Sequence, residues 1–262
     1  MTLFKHEMRQ GRRALLIWSV ATGGMMMICL LMYPEMEAQM EVINVMFASM
    51  GLFTKAFGMD QINFGTLMGF YGVEGGNMLG ILGAFYAAML GARMLAKEED
   101  GHTAEYLLTH PLSRQSAVSQ KLLALIAQVL LFNAVYVAFA LLAFVMIGET
   151  PEWGAFWLFQ GAQLFMQLEI ACVCFGLSAF LRRGGTGMDI GLAAVLYFAN
   201  ILCNLSDSAS FLRYLTPYAY AEPSRVLSQG AAEGGLMALG LGYAALGVIA
   251  AYVKYGRKDI AA

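Results

Sequence analysis

Charged residues are scarce in this sequence, and their scarcity excludes an ordinary soluble globular domain. Asp, Glu, Lys and Arg make up 13% of the 262 residues, whereas a soluble domain carries about 25%. Proline is rare too, with five residues. Mean hydropathy is +0.62, and several apolar runs exceed about 18 residues, enough to cross a bilayer as a helix. The composition therefore predicts an all-α, polytopic membrane protein.

The sequence also lacks the motifs of membrane-embedded enzymes and of metal sites. None of the three histidines lies in an apolar run, and neither His-Glu-x-x-His nor Gly-x-Ser-x-Gly occurs. All four cysteines lie in apolar runs, which favours small buried side chains over disulfides or metal ligands. A Gly-x-x-x-x-Gly-Lys-Ser/Thr phosphate loop is absent, so we expect no cofactor or metal in this chain. An intramembrane protease or acyltransferase is a distant alternative. A net charge of −2, with no basic stretch interleaved with aromatics, gives no sign of a nucleic-acid partner.

Six apolar stretches are long enough to form transmembrane helices. Their approximate bounds are 14–33, 72–96, 117–147, 153–181, 188–205 and 234–253. Residues 1–13 mix apolar and basic positions, which suits either an amphipathic helix on the membrane surface or an ordinary basic flank of span 1. Residues 42–71 predict an outer loop with one or two interfacial or re-entrant helices. Residues 206–233 are too polar to span and too apolar for an ordinary loop.

Small residues recur at helical spacing in two places, which would let another helix approach closely. The first row lies in span 2 and consists of Gly72, Gly76, Gly80 and Ala84. The second row lies around the start of span 6 and consists of Gly230, Gly234, Ala238 and Gly242.

Lysine and arginine are distributed unequally between the two sides of the predicted spans. With the N-terminus inside, 13 of the 16 lie on the inner side, and Lys55, Arg213 and Arg225 lie outside. Because cytoplasmic loops carry the excess of basic residues, both termini are predicted to lie in the cytoplasm. The protein is predicted to reside in the cell (plasma) membrane. The same rule places the connection 97–116 in the cytoplasm.

This connection, KEEDGHTAEYLLTHPLSRQS, holds five charges in its first nine residues and cannot lie in hydrocarbon. Thr103 can cap a short helix that Pro111 ends, and Ser113 can cap the helix of span 3. A rigid short helix joined to spans 2 and 3 could transmit a push from a soluble partner into both. A well-capped connector without a partner is the alternative.

Several polar residues lie inside the spans. Glu169 falls in the middle of span 4, where an ionisable side chain suggests a proton or cation site, or a pair with another span or a second copy. Gln160, Gln163 and Gln167 share one stripe of that helix, and Glu169 lies about two residues off it. Interhelical hydrogen bonds would explain the amides, and a role in a transport pathway is the alternative. The pathway candidates are Glu169, Gln163, Gln167, Asn200, Asn204 and Asn133.

The segment EEDGHTAEYLLTHPLSR resembles the connection between the second and third spans of ABC-2-type ABC transporter permeases. The matching residues are Glu98, Glu99, Asp100, Thr103, Glu105, Leu107, Leu108, Pro111, Ser113 and Arg114. The segment FLRYLTPYAYAEP, with Pro217, Tyr218 and Tyr220, is similar to the aromatic, proline-containing segment between spans 5 and 6 of that family. The resemblance covers the six-span layout, so residues 1–262 are interpreted as one transmembrane domain.

The resemblance implies a transmembrane subunit that dimerises with a second copy or a paralogue. Two cytoplasmic ATPase subunits would bind ATP and Mg, and would contact the N-terminal surface helix and the 97–116 loop. Residues 206–233 would form re-entrant helices on the outer side. The expected ATPase-coupling residues are Glu99, Thr103, Glu105, Tyr106, Leu107, Leu108, Pro111, Ser113 and Arg114. The predicted function is ATP-driven export of an amphipathic cargo such as a lipid-like molecule, peptide or drug. A sensor or immunity subunit against a toxic peptide is the alternative.

Overall fold

The computed structural model describes residues 2–59, 62–101, 113–181 and 187–257, which fold mainly into helices. Six of these helices are long and apolar enough to cross a membrane. They are α1 (Thr2–Leu31), α2 (Leu67–Arg93), α3 (Arg114–Ile147), α4 (Trp153–Ser178), α5 (Met188–Leu205) and α6 (Gly234–Arg257). The prediction of an all-α membrane protein with six spans is confirmed.

The helix ends follow local capping. The Thr66 hydroxyl accepts a hydrogen bond from the Gly69 amide at 3.0 Å, so α2 begins five residues before the predicted start of span 2. The Ser113 hydroxyl accepts from the Ser116 amide at 3.2 Å and caps α3, as predicted. At the other end of α3, Gly148 adopts a positive φ of 76°, which glycine accommodates without strain.

The N-terminal residues differ from the prediction of a separate surface helix. Residues 2–13 are the first three turns of α1 and continue into span 1 without a break. The first turn is anchored because Gln120 Oε1 of α3 accepts hydrogen bonds from the Leu3 and Phe4 amides, at 3.2 and 3.3 Å. Free amides at a helix start need such partners. That this part of α1 lies on a membrane surface stays a prediction.

The helices alternate in direction, and their ends therefore meet in two layers. Glu7 of α1 lies beside Lys121 near the start of α3, and Ser119 of α3 hydrogen-bonds Tyr252 near the end of α6 at 2.7 Å. The beginning of α1 and the end of α6 thus lie at the same end of the bundle, here called the N-terminal end. α2 and α4 are the most buried of the six long helices, whereas few residues of α5 and α6 are fully buried.

Close approach between the spans uses other glycines than those in the predicted rows. Gly247 of α6 packs on α4, where an added Cβ would lie 2.5 Å from the Cys172 carbonyl oxygen. In the first predicted row, Gly72 and Gly76 face Leu227 and Pro223 of a short helix instead of a spanning helix. In the second predicted row, a Cβ added to any of the glycines would meet no described atom within 4 Å. Those glycines are Gly230, Gly234 and Gly242.

Short helices occupy the connection between α1 and α2 and the connection between α5 and α6. They are Tyr33–Glu37, Met40–Ser49, Leu52–Ala56, the 3-10 helix Asp207–Tyr214, Tyr218–Ala221 and Pro223–Gln229. The Tyr218–Ala221 turn is fully buried, and the Tyr218 hydroxyl donates to the Gly80 carbonyl of α2 at 3.3 Å. This segment therefore inserts between the long helices. Its depth in a bilayer, and hence its re-entrant character, stays a prediction.

Candidate functional site

Four charged side chains form a buried ion cluster at the N-terminal end of the bundle. The cluster consists of Glu7, Lys97, Glu98 and Lys121. The Lys121 side chain is 0% exposed; it donates to Glu7 Oε1 at 2.9 Å, to the Met94 carbonyl at 2.7 Å, and to Glu98. Lys97 pairs with the other Glu7 oxygen and donates to Gln10 at 2.6 Å. The two lysines thus engage both oxygens of a carboxylate that is itself removed from solvent.

The ion cluster joins three long helices to the start of the 97–116 loop. Glu7 belongs to α1, Lys121 to the second turn of α3, and Met94 directly follows α2. Lys97 and Glu98 belong to a short helix, Lys97–Asp100, which opens the loop. Buried charges that lose water must keep their partners, because an unpaired buried charge costs several kcal/mol. The cluster therefore fixes the beginning of the loop to the bundle.

The other end of the loop is fixed by two of the predicted coupling residues. Ser113 caps α3, and the Arg114 guanidinium donates to the Gly256 carbonyl near the end of α6 at 3.4 Å. A third predicted residue, Glu99, is half-buried in the Lys97–Asp100 helix. The remaining predicted coupling residues lie outside the described residues: Thr103, Glu105, Tyr106, Leu107, Leu108 and Pro111.

The glutamine stripe of α4 faces the inside of the bundle. Gln160 donates to the Tyr71 hydroxyl of α2 at 2.5 Å, and Gln167 donates to the Leu79 carbonyl of the same helix at 3.3 Å. Asn133 of α3 donates to Gln167 Oε1 at 2.7 Å, so these amides connect α2, α3 and α4. Gln163 donates to the Ala221 carbonyl at 2.9 Å. These contacts are the interhelical hydrogen bonds that the sequence offered as an explanation of the amides.

The asparagines of α5 lie at and near the opposite end of the bundle. Asn200 is buried and lines a small cavity of about 40 Å³ that Gln163 also lines. Asn204 donates to Glu222 Oε1 at 2.6 Å and to the Ala56 carbonyl at 3.3 Å. The six pathway candidates are therefore spread over several sites and do not form one continuous row.

The three basic residues assigned to the outer side gather at this same end. Arg213 pairs with Glu233 at 2.7 Å, and Arg225 lies 3.6 Å from the second oxygen of that carboxylate. Lys55 and Arg225 line a polar cavity of about 200 Å³ together with Glu222. The fold thus separates these three residues from the ion cluster by the length of the helices.

Glu169 faces away from the glutamine stripe, as its two-residue offset predicted. Its Oε2 accepts a hydrogen bond from the Tyr220 hydroxyl at 2.6 Å, and it lies against Gly240 of α6. A Cβ added at Gly240 would lie 2.1 Å from Glu169 Oε2, so the carboxylate occupies the space that the glycine leaves open. The tyrosine belongs to the segment whose aromatic character carried part of the resemblance.

The sequence interpretation missed the roles of Glu7 and Lys121. Glu7 was not singled out, and Lys121 was counted only among the basic residues of the inner side, although each carries a signal. Glu7 is the one acidic residue in the basic stretch 1–13, and Lys121 is the one charged residue between Arg114 and Glu149. Two isolated opposite charges near the ends of two helices can predict a buried ion pair, but only when it is known that the two helices lie side by side.

Comparison with known proteins assigns the family. The model of the family described as "ABC-2 family transporter protein" matches residues 1–260. No curated protein matches the chain. Proteins of this family are transmembrane subunits without an ATP-binding domain of their own, and they work with a cytoplasmic ABC ATPase in a membrane complex. With six membrane-spanning helices and a family match over nearly its whole length, the chain belongs to the ABC-2 family of transporter proteins.

Proposed function

We propose that this chain is the permease subunit of an ATP-driven exporter of an amphipathic cargo. Two copies, or one copy and a paralogue, form the transmembrane pathway in the plasma membrane. Separate cytoplasmic ABC ATPase subunits bind ATP and Mg and move the permease through the 97–116 loop. The ion cluster carries this proposal, because it gives that loop a rigid connection to the bundle.

Both ends of the loop are anchored to the bundle. Before the loop, Glu98 binds Lys121, which also holds Glu7 and the Met94 carbonyl. After the loop, Ser113 caps α3 and Arg114 reaches α6. A displacement of the loop is therefore transmitted to α1, α2, α3 and α6 together. Charge-assisted hydrogen bonds suit this role because they are short, strong and directional.

The distribution of charge supports a cytoplasmic location for the loop. The ion cluster and the start of α1, with Lys5, Arg9, Arg12 and Arg13, share the N-terminal end. Lys55, Arg213 and Arg225 lie at the opposite end, and the two arginines are paired with Glu233. Since basic residues concentrate on the cytoplasmic side, the N-terminal end faces the cytoplasm and its ATPase.

Loop variants co-expressed with the partner ABC ATPase test the proposal. We expect Glu105→Arg and Leu107→Asp to abolish co-purification of the ATPase and cargo-stimulated ATP hydrolysis, while the permease remains folded. Glu149→Arg is the matched control, because Glu149 is exposed in the turn after α3 at the far end. Retention of both activities in the loop variants would show that coupling does not use this loop.

A further inference from the structure

A cavity of about 390 Å³ opens on the side of the bundle between α4, α5 and α6. Its wall is apolar, and several of the residues around it, including Leu177, Leu215 and Leu246, expose their side chains to the surroundings of the bundle. The volume falls in the range of small-molecule sites, roughly 300–1,000 Å³. The cavity is thus large enough for a compact apolar molecule that arrives from the bilayer.

One carboxylate lines this cavity. Glu169 is 5% exposed, and in the described part of the chain Tyr220 supplies its hydrogen bond, at Oε2. The other polar side chain of the lining, Tyr243, donates its hydroxyl proton to the Tyr214 carbonyl at 3.2 Å. Glu169 is therefore the single acidic side chain among the lining residues that the structure describes. An ionised carboxylate removed from solvent in this way is costly unless an opposite charge accompanies it, and a proton is the alternative.

We propose that this cavity binds monovalent lipophilic organic cations, with the cationic centre beside Glu169. The aliphatic side chains of α4 to α6 would enclose the apolar body of the ligand, and Tyr243, which also lines the cavity, is an aromatic residue of the kind that binds organic cations. Charge complementarity selects this occupant over a neutral acyl chain or an anionic amphiphile. The proposal names a class of amphipathic cargo, and it depends on the proposed function only for the step from binding to transport.

Binding is measured on the purified full chain in lipid nanodiscs without ATPase, so that a failure of transport does not affect the result. The probe is radiolabelled tetraphenylphosphonium, corrected for empty nanodiscs. Radiolabelled tetraphenylborate, which has the same shape and the opposite charge, is measured in separate samples because the two ions pair with each other in solution. We expect one saturable site per chain for tetraphenylphosphonium and no saturable site for tetraphenylborate. We also expect Glu169→Gln to weaken binding at least about tenfold, since removal of one partner of a buried charge pair has a large effect.

Two further variants keep the test decisive. Glu74→Gln removes another half-buried carboxylate, on α2 and outside this cavity, and should bind like wild type. Leu196→Trp fills the cavity from α5 and should abolish binding without altering a charge, which provides a result if Glu169→Gln does not fold. Equal affinity of wild type and Glu169→Gln for tetraphenylphosphonium, equal saturable binding of tetraphenylborate, or no saturable binding of tetraphenylphosphonium would each overturn the proposal.

Discussion

Removal of the Lys121 ammonium tests the energetic role of the ion cluster. In Lys121→Met the stem of the side chain is kept, while Glu7 Oε1, Glu98 and the Met94 carbonyl each lose a donor. Lys97 still pairs with the second Glu7 oxygen, so Glu7 retains part of its compensation. Breaking a buried pair from one side costs about 3–5 kcal/mol. We expect a loss of about 3 kcal/mol, at the lower end of that range, because Lys97 remains.

The assay is the free energy of unfolding of the purified chain in mixed micelles, titrated with sodium dodecyl sulfate. Glu7→Gln is measured alone and combined with Lys121→Met, and the double variant should lose less than the sum of the single losses by at least about 1 kcal/mol. Lys5→Met is the matched control, because Lys5 is exposed on the same part of α1, and it should change stability by less than about 0.5 kcal/mol. If Lys121→Met unfolds like Lys5→Met, or if the losses are additive, the cluster does not hold these helices together.

Three further predictions use the same unfolding assay. Gly247→Ala places a methyl group against the Cys172 carbonyl and should lower the free energy of unfolding by about 1–3 kcal/mol through overpacking. Gly242→Ala on the same helix should be neutral because its Cβ position is open. Equal effects of the two variants would contradict the α4–α6 contact. Ser113→Ala removes the cap of α3 and should cost about 1 kcal/mol, and Ser113→Asp, which restores an acceptor, should recover most of it; a neutral alanine variant would refute the capping role. Asn133→Leu removes the donor to Gln167 and should lower the free energy of unfolding by about 0.6 kcal/mol, a value typical of interhelical hydrogen bonds in membranes. An unchanged free energy of unfolding would show that this hydrogen bond does not stabilise the bundle.

The fold was predictable because hydrophobic length is a strong signal in a membrane protein. The predicted spans agree with the helices to within a few residues at most ends, and α5 agrees at both. The largest difference is at α1, where the surface helix and the first span form one helix. Residues 2–13 contain no proline and no second helix start, so the sequence offered no physical reason for a break between them.

The contacts between helices were less predictable, because periodicity shows which residues share a face and not what that face meets. Gly72 and Gly76 do share a face, but they receive a short helix that comes from residues 223–229. Likewise, the glutamine stripe was identified, but its partners Tyr71, Leu79 and Ala221 come from distant parts of the chain. Partners of this kind are fixed by tertiary packing, which one sequence does not specify.

The coupling loop was predictable as a polar connection, and its attachment to the bundle was not. Ser113 could be identified as a cap from its position before an apolar run, and the structure confirms it. Lys121 is the one charged residue in the predicted span 117–147, but this pattern does not predict burial, since a lysine early in a span usually reaches solvent along its flexible stem. Here it is buried because Glu7 and Glu98 approach from two other elements.

The most direct test of the account is protection of the loop by the ATPase. A single cysteine at Leu107, in a chain whose four native cysteines are replaced by alanine, is labelled with a maleimide in inside-out membrane vesicles. A cysteine at Lys55, at the opposite end of the bundle, is the control. The account predicts labelling at position 107 from the cytoplasmic face, and loss of that labelling when the ATPase is bound. Labelling of position 107 only from the outer face, or at an unchanged rate with the ATPase present, would contradict it.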